Sequence, residues 1–357
     1  SRKNSRQVEQ SMVMEADAAV AAAAAEEKRA REAARQELVA AIEALRRTRV
    51  AGGLRGDSAL YILPWYLVLG AGGAGKSSLI RNSGLQVPGQ APGELKGIGA
   101  SQNFEWWFTS QAVFLEASQR FVAPDQGVAG DRAWRAGLEQ LRKHRPGLPL
   151  NGILVTVPAT DLLDPVAGAL EAKAKLLRRR LEALIKELDL VCPVYLVVTK
   201  ADLVHGFQEF FGDLRGATRD QVWGATLTAP LMTSGDPGAV VEQEFQLLAK
   251  RLLRRRQPRL VRAEGQETQG KVYLFPLEFA SLRKPLQRLA NILAEPDPLA
   301  PTPLLRGFYF ATSGGGGATV DNVLTEVSRV IGLPAWEAAT SGRGAGQAPP
   351  PPGASIT

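Results

Sequence analysis

The residues with the clearest capacity for chemistry lie in Trp65–Leu79, which reads WYLVLGAGGAGKSSL. Its apolar start predicts a buried strand, Gly70–Gly75 contains only Gly and Ala, and Lys76-Ser77 begins a predicted helix. This is G-x-x-x-x-G-K-S in its strand–loop–helix context. Small residues let backbone N–H groups curl into a nest for phosphate oxygens, with the positive helix end pointing into it. Lys76 would bridge the outer phosphates and the Ser77 hydroxyl would bind magnesium. The alternative is a Gly-rich turn that binds nothing.

A second motif, Thr199-Lys-Ala-Asp202, follows an apolar run that predicts another buried strand. Ligands of open α/β sheets bind at such strand ends. The segment resembles the N/T-K-x-D motif of Ras-like GTPases, which implies that Asp202 accepts hydrogen bonds from guanine and that the Lys200 stem covers the base. An aspartate capping the next turn is the alternative. The predicted nucleotide-binding residues are Gly70, Gly72, Gly73, Ala74, Gly75, Lys76, Ser77, Ser78, Thr199, Lys200 and Asp202.

The third expected feature is a D-x-x-G switch for magnesium and the γ-phosphate, but the chain has Glu116-Ala-Ser-Gln119 at that place. Glutamate keeps the charge and adds a methylene, which shifts the carboxylate where geometry matters. Gln119 keeps a backbone N–H without the conformational freedom of glycine. The next residue, Arg120, is not the water-orienting glutamine of Ras-like enzymes. The predicted magnesium ligands are therefore Ser77 and Glu116, and hydrolysis is in doubt.

The elements that must position these motifs alternate between strands and helices after residue 60, which predicts a three-layer α/β sandwich with a mostly parallel sheet. The loop Gln86–Ala100 is rich in Gly and Pro and is interpreted as a switch region. The predicted strands are Trp65–Leu69, Phe104–Thr109 and Ala112–Glu116 as a hairpin, Gly152–Val157, Val194–Thr199, Lys271–Phe275 and Phe308–Phe310. The predicted helices are Lys76–Ser83, Ala167–Leu188, most of 206–262, Leu282–Leu293 and Val320–Ile331.

The chain is divided into three predicted segments. Residues 1–58 form an Ala-rich arm in which Gln7–Arg49, free of Gly and Pro, predicts one long helix. Residues 59–335 form the nucleotide-binding-like domain, with helical additions around 206–262. Residues 336–357 are a Gly/Pro-rich linker. The first half of the long helix carries little apolar surface, so it is either an extended arm or part of a partner contact.

Composition limits the other classes of function. A single cysteine, Cys192, excludes an internal disulfide framework and is interpreted as a buried small hydrophobe; no zinc pattern occurs. The net charge of +7 permits an anionic partner without establishing one. No signal peptide is expected, and no run of about 20 apolar residues predicts a membrane span.

Two further patterns have a structural and a functional interpretation. The runs Arg178–Arg180 and Arg254–Arg256 are interpreted as solvated helix faces, with contact to anionic lipid head groups as the alternative. Of the tandem pair Trp106-Trp107, one ring is expected in the core and the other at an edge or partner contact, since neighbouring strand residues face opposite sides. Stacking on single-stranded nucleic acid is the alternative, but no basic groove pattern surrounds the pair.

Taken together, five segments resemble the IcmF/TssM family of bacterial type VI secretion. They are 63–85 (LPWYLVLGAGGAGKSSLIRNSGL), 105–121 (EWWFTSQAVFLEASQRF), 145–163 (RPGLPLNGILVTVPATDLL), 193–227 and 303–313 (PLLRGFYFATS). The resemblance runs from about residue 60 to residue 335. The family has a D-T-A-G-R-Y-like switch where this chain has Glu116–Phe121, a departure that bears on hydrolysis and not on membership.

The resemblance implies a P-loop NTPase-like (Ras-like) domain on the cytoplasmic face of the bacterial inner membrane, with membrane helices outside this chain. It implies GTP or ATP with Mg as ligand, GTP being favoured. It also implies a DotU/TssL-like inner-membrane subunit and baseplate proteins as partners, a homo-oligomer in the full complex, and no nucleic acid. The leading hypothesis is a secretion scaffold with a nucleotide-gated switch. The alternatives are an active GTPase, with Glu116 in place of aspartate, and a structural module with a vestigial loop.

Overall fold

The computed structural model describes residues 2–47, 60–83, 85, 98–100, 103–123, 127–164, 166, 168–212, 222–228, 235–299 and 301–312. Within these ranges the helices are α1 Arg2–Arg47, α2 Lys76–Arg81, α3 Gly127–His144, α4 Ala159–Leu162, α5 Ala169–Leu188, α6 Phe207–Phe211, α7 Pro237–Arg262, α8 Gln266–Ser281 and α9 Arg283–Ala294. The strands are β1 Trp65–Leu69, β2 Ile98–Ala100, β3 Phe104–Phe108, β4 Val113–Ala117, β5 Gly152–Pro158, β6 Pro193–Thr199, β7 Gly224–Thr226 and β8 Leu304–Phe310. Two 3-10 turns, Gln119–Val122 and Ala201–Leu203, follow β4 and β6.

The described strands form one sheet in the order β2-β3-β4-β1-β5-β6-β8-β7. The pairs from β4 through β1, β5 and β6 to β8 are all parallel, while β2 with β3, β3 with β4, and β7 with β8 are antiparallel. The prediction of a mixed α/β fold with a mostly parallel sheet and a β3–β4 hairpin is confirmed. Because β1 lies at the centre, the loop after it opens between the carboxyl ends of β4, β5 and β6.

The core is divided unevenly between the two faces of the sheet. Most buried apolar side chains belong to a large cluster that joins one face to α1, α3, α5 and the helices after residue 237. On the other face Val68, Ile80 and Trp107 form a small cluster, with Ile80 contributed by α2. Within the described residues, helices therefore cover both faces of the sheet, but the face that packs against α2 has the smaller cluster of buried apolar side chains.

Helix α1 is long because Arg2–Arg47 contains neither Gly nor Pro and is rich in the best helix formers. Its last turns bury Leu38, Ala41, Ile42 and Leu45 in the large cluster. The described side chains from residue 14 to residue 33 are almost all exposed. The prediction of one long helix with a weakly apolar first half is thus confirmed, and its second half belongs to the packed domain.

Several predicted elements need correction. The run Lys271–Phe275, predicted as a strand, lies in helix α8; a short apolar run is ambiguous, and Val272, Phe275 and Phe279 are buried at helical spacing. In the largely helical region 206–262 the sequence did not predict strand β7, which pairs with β8. Ile98–Ala100, predicted as loop, is strand β2. The sequence also did not predict helix α3. The expected helix Val320–Ile331 and the linker lie outside the described residues.

The two interpretations of paired side chains are also corrected. Trp106 and Trp107 do face opposite sides of the sheet, but both are buried, at 4% and 0% exposure. Arg178 and Arg180 are buried as well, at 8% and 7%, so this run is not a solvated face; only Arg179 is exposed. Their guanidinium groups bind backbone carbonyls of other elements, namely Leu293 and Glu295 for Arg178 and Phe121 for Arg180.

Candidate functional site

The loop between β1 and α2 has the tightly curled backbone that the G-x-x-x-x-G-K-S pattern predicts. Gly73 and Gly75 have positive φ values of 71° and 75°, which glycine adopts without strain. Gly70 lies so close to β5 that a Cβ there would stand 2.1 Å from the Thr156 Oγ1. Gly72 and Gly73 are exposed at the loop crest. The backbone therefore forms an open cradle that larger side chains would distort.

Lys76 folds back over this loop. Its Nζ donates hydrogen bonds to the Gly70 carbonyl at 3.0 Å and the Ala71 carbonyl at 3.2 Å, and the residue is 7% exposed. Burial lowers the pKa of the ammonium, and the negative charge of Glu116 partly offsets this. A cation held at the loop, with two donors already directed at oxygen atoms, is suited to binding phosphoryl oxygens.

Ser77 and Glu116 meet beside the loop despite the longer acidic side chain. The Ser77 Oγ donates to Glu116 Oε1 at 2.7 Å, and Glu116 is 8% exposed. The second carboxylate oxygen accepts from the indole Nε1 of Trp107 at 3.1 Å. A hydroxyl and a carboxylate are hard oxygen ligands of the kind that magnesium prefers together with phosphate oxygens. The donor set thus fits the metal that the sequence predicts here.

Gln119, in the position of the expected switch glycine, lies against the loop. A Cβ built on Gly72 would stand 2.4 Å from Gln119 Oε1, so this side chain packs on the loop crest. Gln119 begins the 3-10 turn, and Arg120, the next residue, donates to Asn103 Oδ1 at the start of β3. The segment after β4 is therefore a 3-10 turn that contacts the glycine loop through the Gln119 side chain.

The second motif reaches the same edge of the sheet. The Thr199 Oγ1 donates to the Ala74 carbonyl at 2.8 Å, which joins the end of β6 to the glycine loop. Lys200 has a left-handed backbone with φ 56°, and Asp202, 5% exposed, lies in the 3-10 turn that follows. Ser78 is half-buried in the first turn of α2. The structure therefore brings Lys76, the Ser77–Glu116 pair and Thr199 together at the loop, and it places Lys200 and Asp202 directly after Thr199 at the end of β6.

The sequence did not predict the hydrogen bond between Trp107 and Glu116. This contact follows from the hairpin register, in which Trp107 pairs with Phe114 and Glu105 pairs with Glu116. Trp107 and Glu116 are therefore diagonal neighbours on one face of the hairpin. A two-residue turn at Ser110-Gln111 fixes this pairing register, so the predicted turn is the feature of the sequence from which the contact could have been predicted.

Comparison with known proteins places the domain in a family. A family model described as the IcmF-related N-terminal domain matches residues 129–348, more than half of the chain. The type VI secretion system component TssM1 of Pseudomonas aeruginosa is 35% identical over 304 residues, which are 84% of this chain and 27% of that relative. The chain belongs to the IcmF/TssM family. It spans about a quarter of the length of that curated relative.

One solved structure shows a weaker likeness to this IcmF/TssM chain. The signal recognition particle receptor SRb-GTP/SRX complex from Chaetomium thermophilum aligns with 18% identity over 39% of this chain and 70% of that chain, with a TM-score of 0.24. A TM-score this low does not establish a shared fold. In the described part of the chain, no helix combines the length and apolar character needed to cross a membrane.

Proposed function

We propose that this IcmF/TssM domain is a nucleotide-binding scaffold domain of a type VI secretion membrane complex, in which the nucleotide acts as a switch. The observation that carries the proposal is the convergence of Lys76, the Ser77–Glu116 pair and Thr199 on one curled glycine loop. Lys76 and Ser77 belong to the first turn of α2, Glu116 to β4 and Thr199 to β6, and all of them contact the loop or that first helical turn. Such an arrangement is suited to a triphosphate with its magnesium ion.

The switch part of the proposal rests on Gln119. Its side chain packs on Gly72, so a γ-phosphate that enters the cradle would have to displace it or bond with it. Either response changes the 3-10 turn Gln119–Val122, which connects to α5 through the Arg180–Phe121 hydrogen bond. Ordering or releasing such a segment is the general way in which a γ-phosphate is sensed. Magnesium, when bound, would neutralise phosphate charge at Ser77 and Glu116.

The scaffold part rests on family membership and on α1. We place the domain at the cytoplasmic face of the inner membrane, with a DotU/TssL-like subunit and baseplate proteins as partners and with other copies of itself in the full complex. The exposed first half of α1 supports this, because a long helix that buries only its second half leaves a surface for a partner. GTP is the favoured ligand, since Asp202 lies at the strand end that Thr199 joins to the loop.

Equilibrium binding of GTP-Mg and ATP-Mg to the purified domain tests the proposal. We expect GTP to bind more tightly than ATP, and Lys76→Ala to abolish binding of both. Lys250→Ala, which removes an exposed lysine of α7, is the matched control and should bind like the original protein. Thermal denaturation of each variant gives a second readout, since a ligand that binds only the folded state raises its stability. Negligible retention of both nucleotides by the unmodified domain would leave only the scaffold role.

A working GTPase is the second candidate, and one observation favours it. Glu116 Oε1 lies 2.7 Å from the Ser77 Oγ, so the extra methylene of glutamate still lets the carboxylate reach the other proposed magnesium ligand. Phosphate release that persists through repurification and disappears in Lys76→Ala would establish hydrolysis. A rate no higher than that of buffer would exclude it and leave the switch without turnover.

A further inference from the structure

Trp107 occupies an unusual place for a fully buried tryptophan, because its ring lies between the sheet and the phosphate-loop helix. It packs with Val68 of β1 and Ile80 of α2, and it is 0% exposed. The guanidinium of Arg81 lies over the ring, 5.3 Å from its centroid. A ring enclosed on these sides has little rotational freedom, so the direction of its N–H bond is fixed by packing.

That N–H bond is directed at Glu116. The indole Nε1 donates to Glu116 Oε2 at 3.1 Å, while Glu116 Oε1 accepts from Ser77 at 2.7 Å. An indole nitrogen can donate but not accept, so it selects an acceptor oxygen. With one oxygen held by Trp107, the other oxygen is the one presented to Ser77. The indole therefore determines which way the carboxylate faces.

The carboxylate needs such a partner for two reasons. Glutamate has one more side-chain torsion than aspartate, so it samples more orientations unless a neighbour holds it. In addition, Glu105 is paired with Glu116 across the hairpin, and burial together with the charge of Glu116 raises the pKa of the Glu105 carboxyl. The neighbouring carboxyl repels Glu116, whereas the indole N–H stabilises it in one place.

We propose that Trp107 is a positioning residue of the cation site: its indole N–H fixes the carboxylate of Glu116 toward Ser77, so that magnesium-dependent nucleotide binding depends on a tryptophan that contacts neither the metal nor the nucleotide. The proposal rests on the proposed nucleotide-binding function. It explains how a glutamate serves where the resemblance implies an aspartate.

The test is Trp107→Phe, which keeps an aromatic ring in the small cluster and removes the N–H donor. Trp134→Phe is the matched control, because Trp134 is also 0% exposed and its Nε1 has no hydrogen-bond partner in the described part of the chain. The affinity of the purified domain for GTP is measured with excess Mg²⁺ and again with EDTA. Thermal denaturation of both variants reports their folding.

We expect Trp107→Phe to weaken binding in Mg²⁺ about tenfold, as the loss of a hydrogen bond to a charged group predicts. Binding in EDTA should stay within about twofold of the original. Trp134→Phe should change neither value beyond that, because the Trp134 ring packs with Phe104 and Phe121 and its Nε1 donates to no group in the described part of the chain. In a Glu116→Ala background, which lacks the acceptor of the indole N–H, Trp107→Phe should have little further effect, since the two substitutions remove one interaction.

Two results separate the failure of this inference from the failure of the proposed function. If the original domain binds GTP with Mg²⁺ and Trp107→Phe keeps the same ratio of affinities in Mg²⁺ and EDTA as Trp134→Phe, the positioning role is wrong and the nucleotide site stands. An equal loss in Mg²⁺ and EDTA also overturns the role, because it indicates general damage to the loop. If the original domain binds no nucleotide under either condition, the proposed function fails and the inference fails with it.

Discussion

Replacement of Arg180 by methionine is the sharpest test of the corrected interpretation of the Arg178–Arg180 run. Arg180 is 7% exposed, and its Nε donates to the Phe121 carbonyl in the 3-10 turn after β4. Its Nη1 donates to Asp131 of α3. Methionine keeps most of the apolar stem and removes every donor, so the substitution isolates the polar contacts.

The expected loss of stability is the sum of the effects at the two partners of Arg180. The Phe121 carbonyl would lose its donor, and an unsatisfied buried carbonyl costs about 1–3 kcal/mol. The side chain of Asp131 is 56% exposed and can be hydrated again, so that ion pair contributes at most about 1 kcal/mol. We therefore expect Arg180→Met to lower the free energy of unfolding by about 2 kcal/mol.

Urea denaturation followed by circular dichroism measures this difference, and Arg179→Met is the matched control. Arg179 lies between the two buried arginines on the same helix and is exposed, so its replacement should change stability by less than about 0.5 kcal/mol. Hydrogen exchange provides a local readout: amides of Gln119–Val122 should exchange faster in Arg180→Met and not in Arg179→Met.

Equal and small effects of the two replacements would refute the reasoning. That outcome would mean that the guanidinium of Arg180 is hydrated in solution and that the arginine run is a solvated face after all. A large loss of stability without faster exchange in the 3-10 turn would also contradict the assigned contact, since the cost would then arise elsewhere.

Two other predictions concern buried polar groups. Arg178→Met should lower the free energy of unfolding measured in urea by about 2–3 kcal/mol, because two backbone carbonyls at the end of α9 lose their donor. These carbonyls lie 3.0 and 2.9 Å from the Arg178 Nη1. A loss of stability as small as that of Arg179→Met would contradict this prediction. Burial raises the pKa of the Cys192 thiol from 9.0 to about 11. The buried neutral thiol therefore contributes fully to the free energy of unfolding below pH 9, and this contribution is lost as the pH rises from 9 toward 11. The loss amounts to about 2 kcal/mol, and Cys192→Ala should lack it in denaturation series at pH 8 and pH 10.5. Thiol labelling of the native protein at pH 8 should be slow, and rapid labelling would show that the thiol is accessible.

The geometry of the glycine loop Gly70–Gly75 could be predicted because its determinants are local. The positive φ values at Gly73 and Gly75 and the return of Lys76 to the loop follow from residues within one turn of each other. The parallel strands could also be predicted from the sequence, since apolar runs such as Gly152–Val157 are typical of strands buried on both faces. The meeting of Thr199 with this loop followed from the rule that ligands bind at the carboxyl ends of such strands.

The errors arose where the partner of a side chain is distant in sequence. The backbone carbonyls that accept from Arg178 and Arg180 lie 59 to 117 residues away, so the local pattern suggested only exposed charge. One ring of the Trp106-Trp107 pair was expected at an edge or partner contact, whereas both are buried, because Ile80, which covers Trp107, belongs to another element. For Lys271–Phe275 the run was too short to separate strand from helix, and the buried Phe279, one turn further on, decides in favour of the helix.

The contact between α1 and the start of β3 has a mechanical consequence. Asn103 donates to both carboxylate oxygens of Glu37 at 2.9 Å and accepts from Arg120, whose neighbour Gln119 rests on Gly72. Two side-chain hydrogen-bond contacts, the peptide bond between Gln119 and Arg120, and the packing of Gln119 on Gly72 therefore connect a helix of 46 residues to the crest of the glycine loop. A force that tilts the exposed half of α1 would therefore act on the hydrogen bonds of Asn103 with Glu37 and Arg120, which lie next to the contact between Gln119 and Gly72.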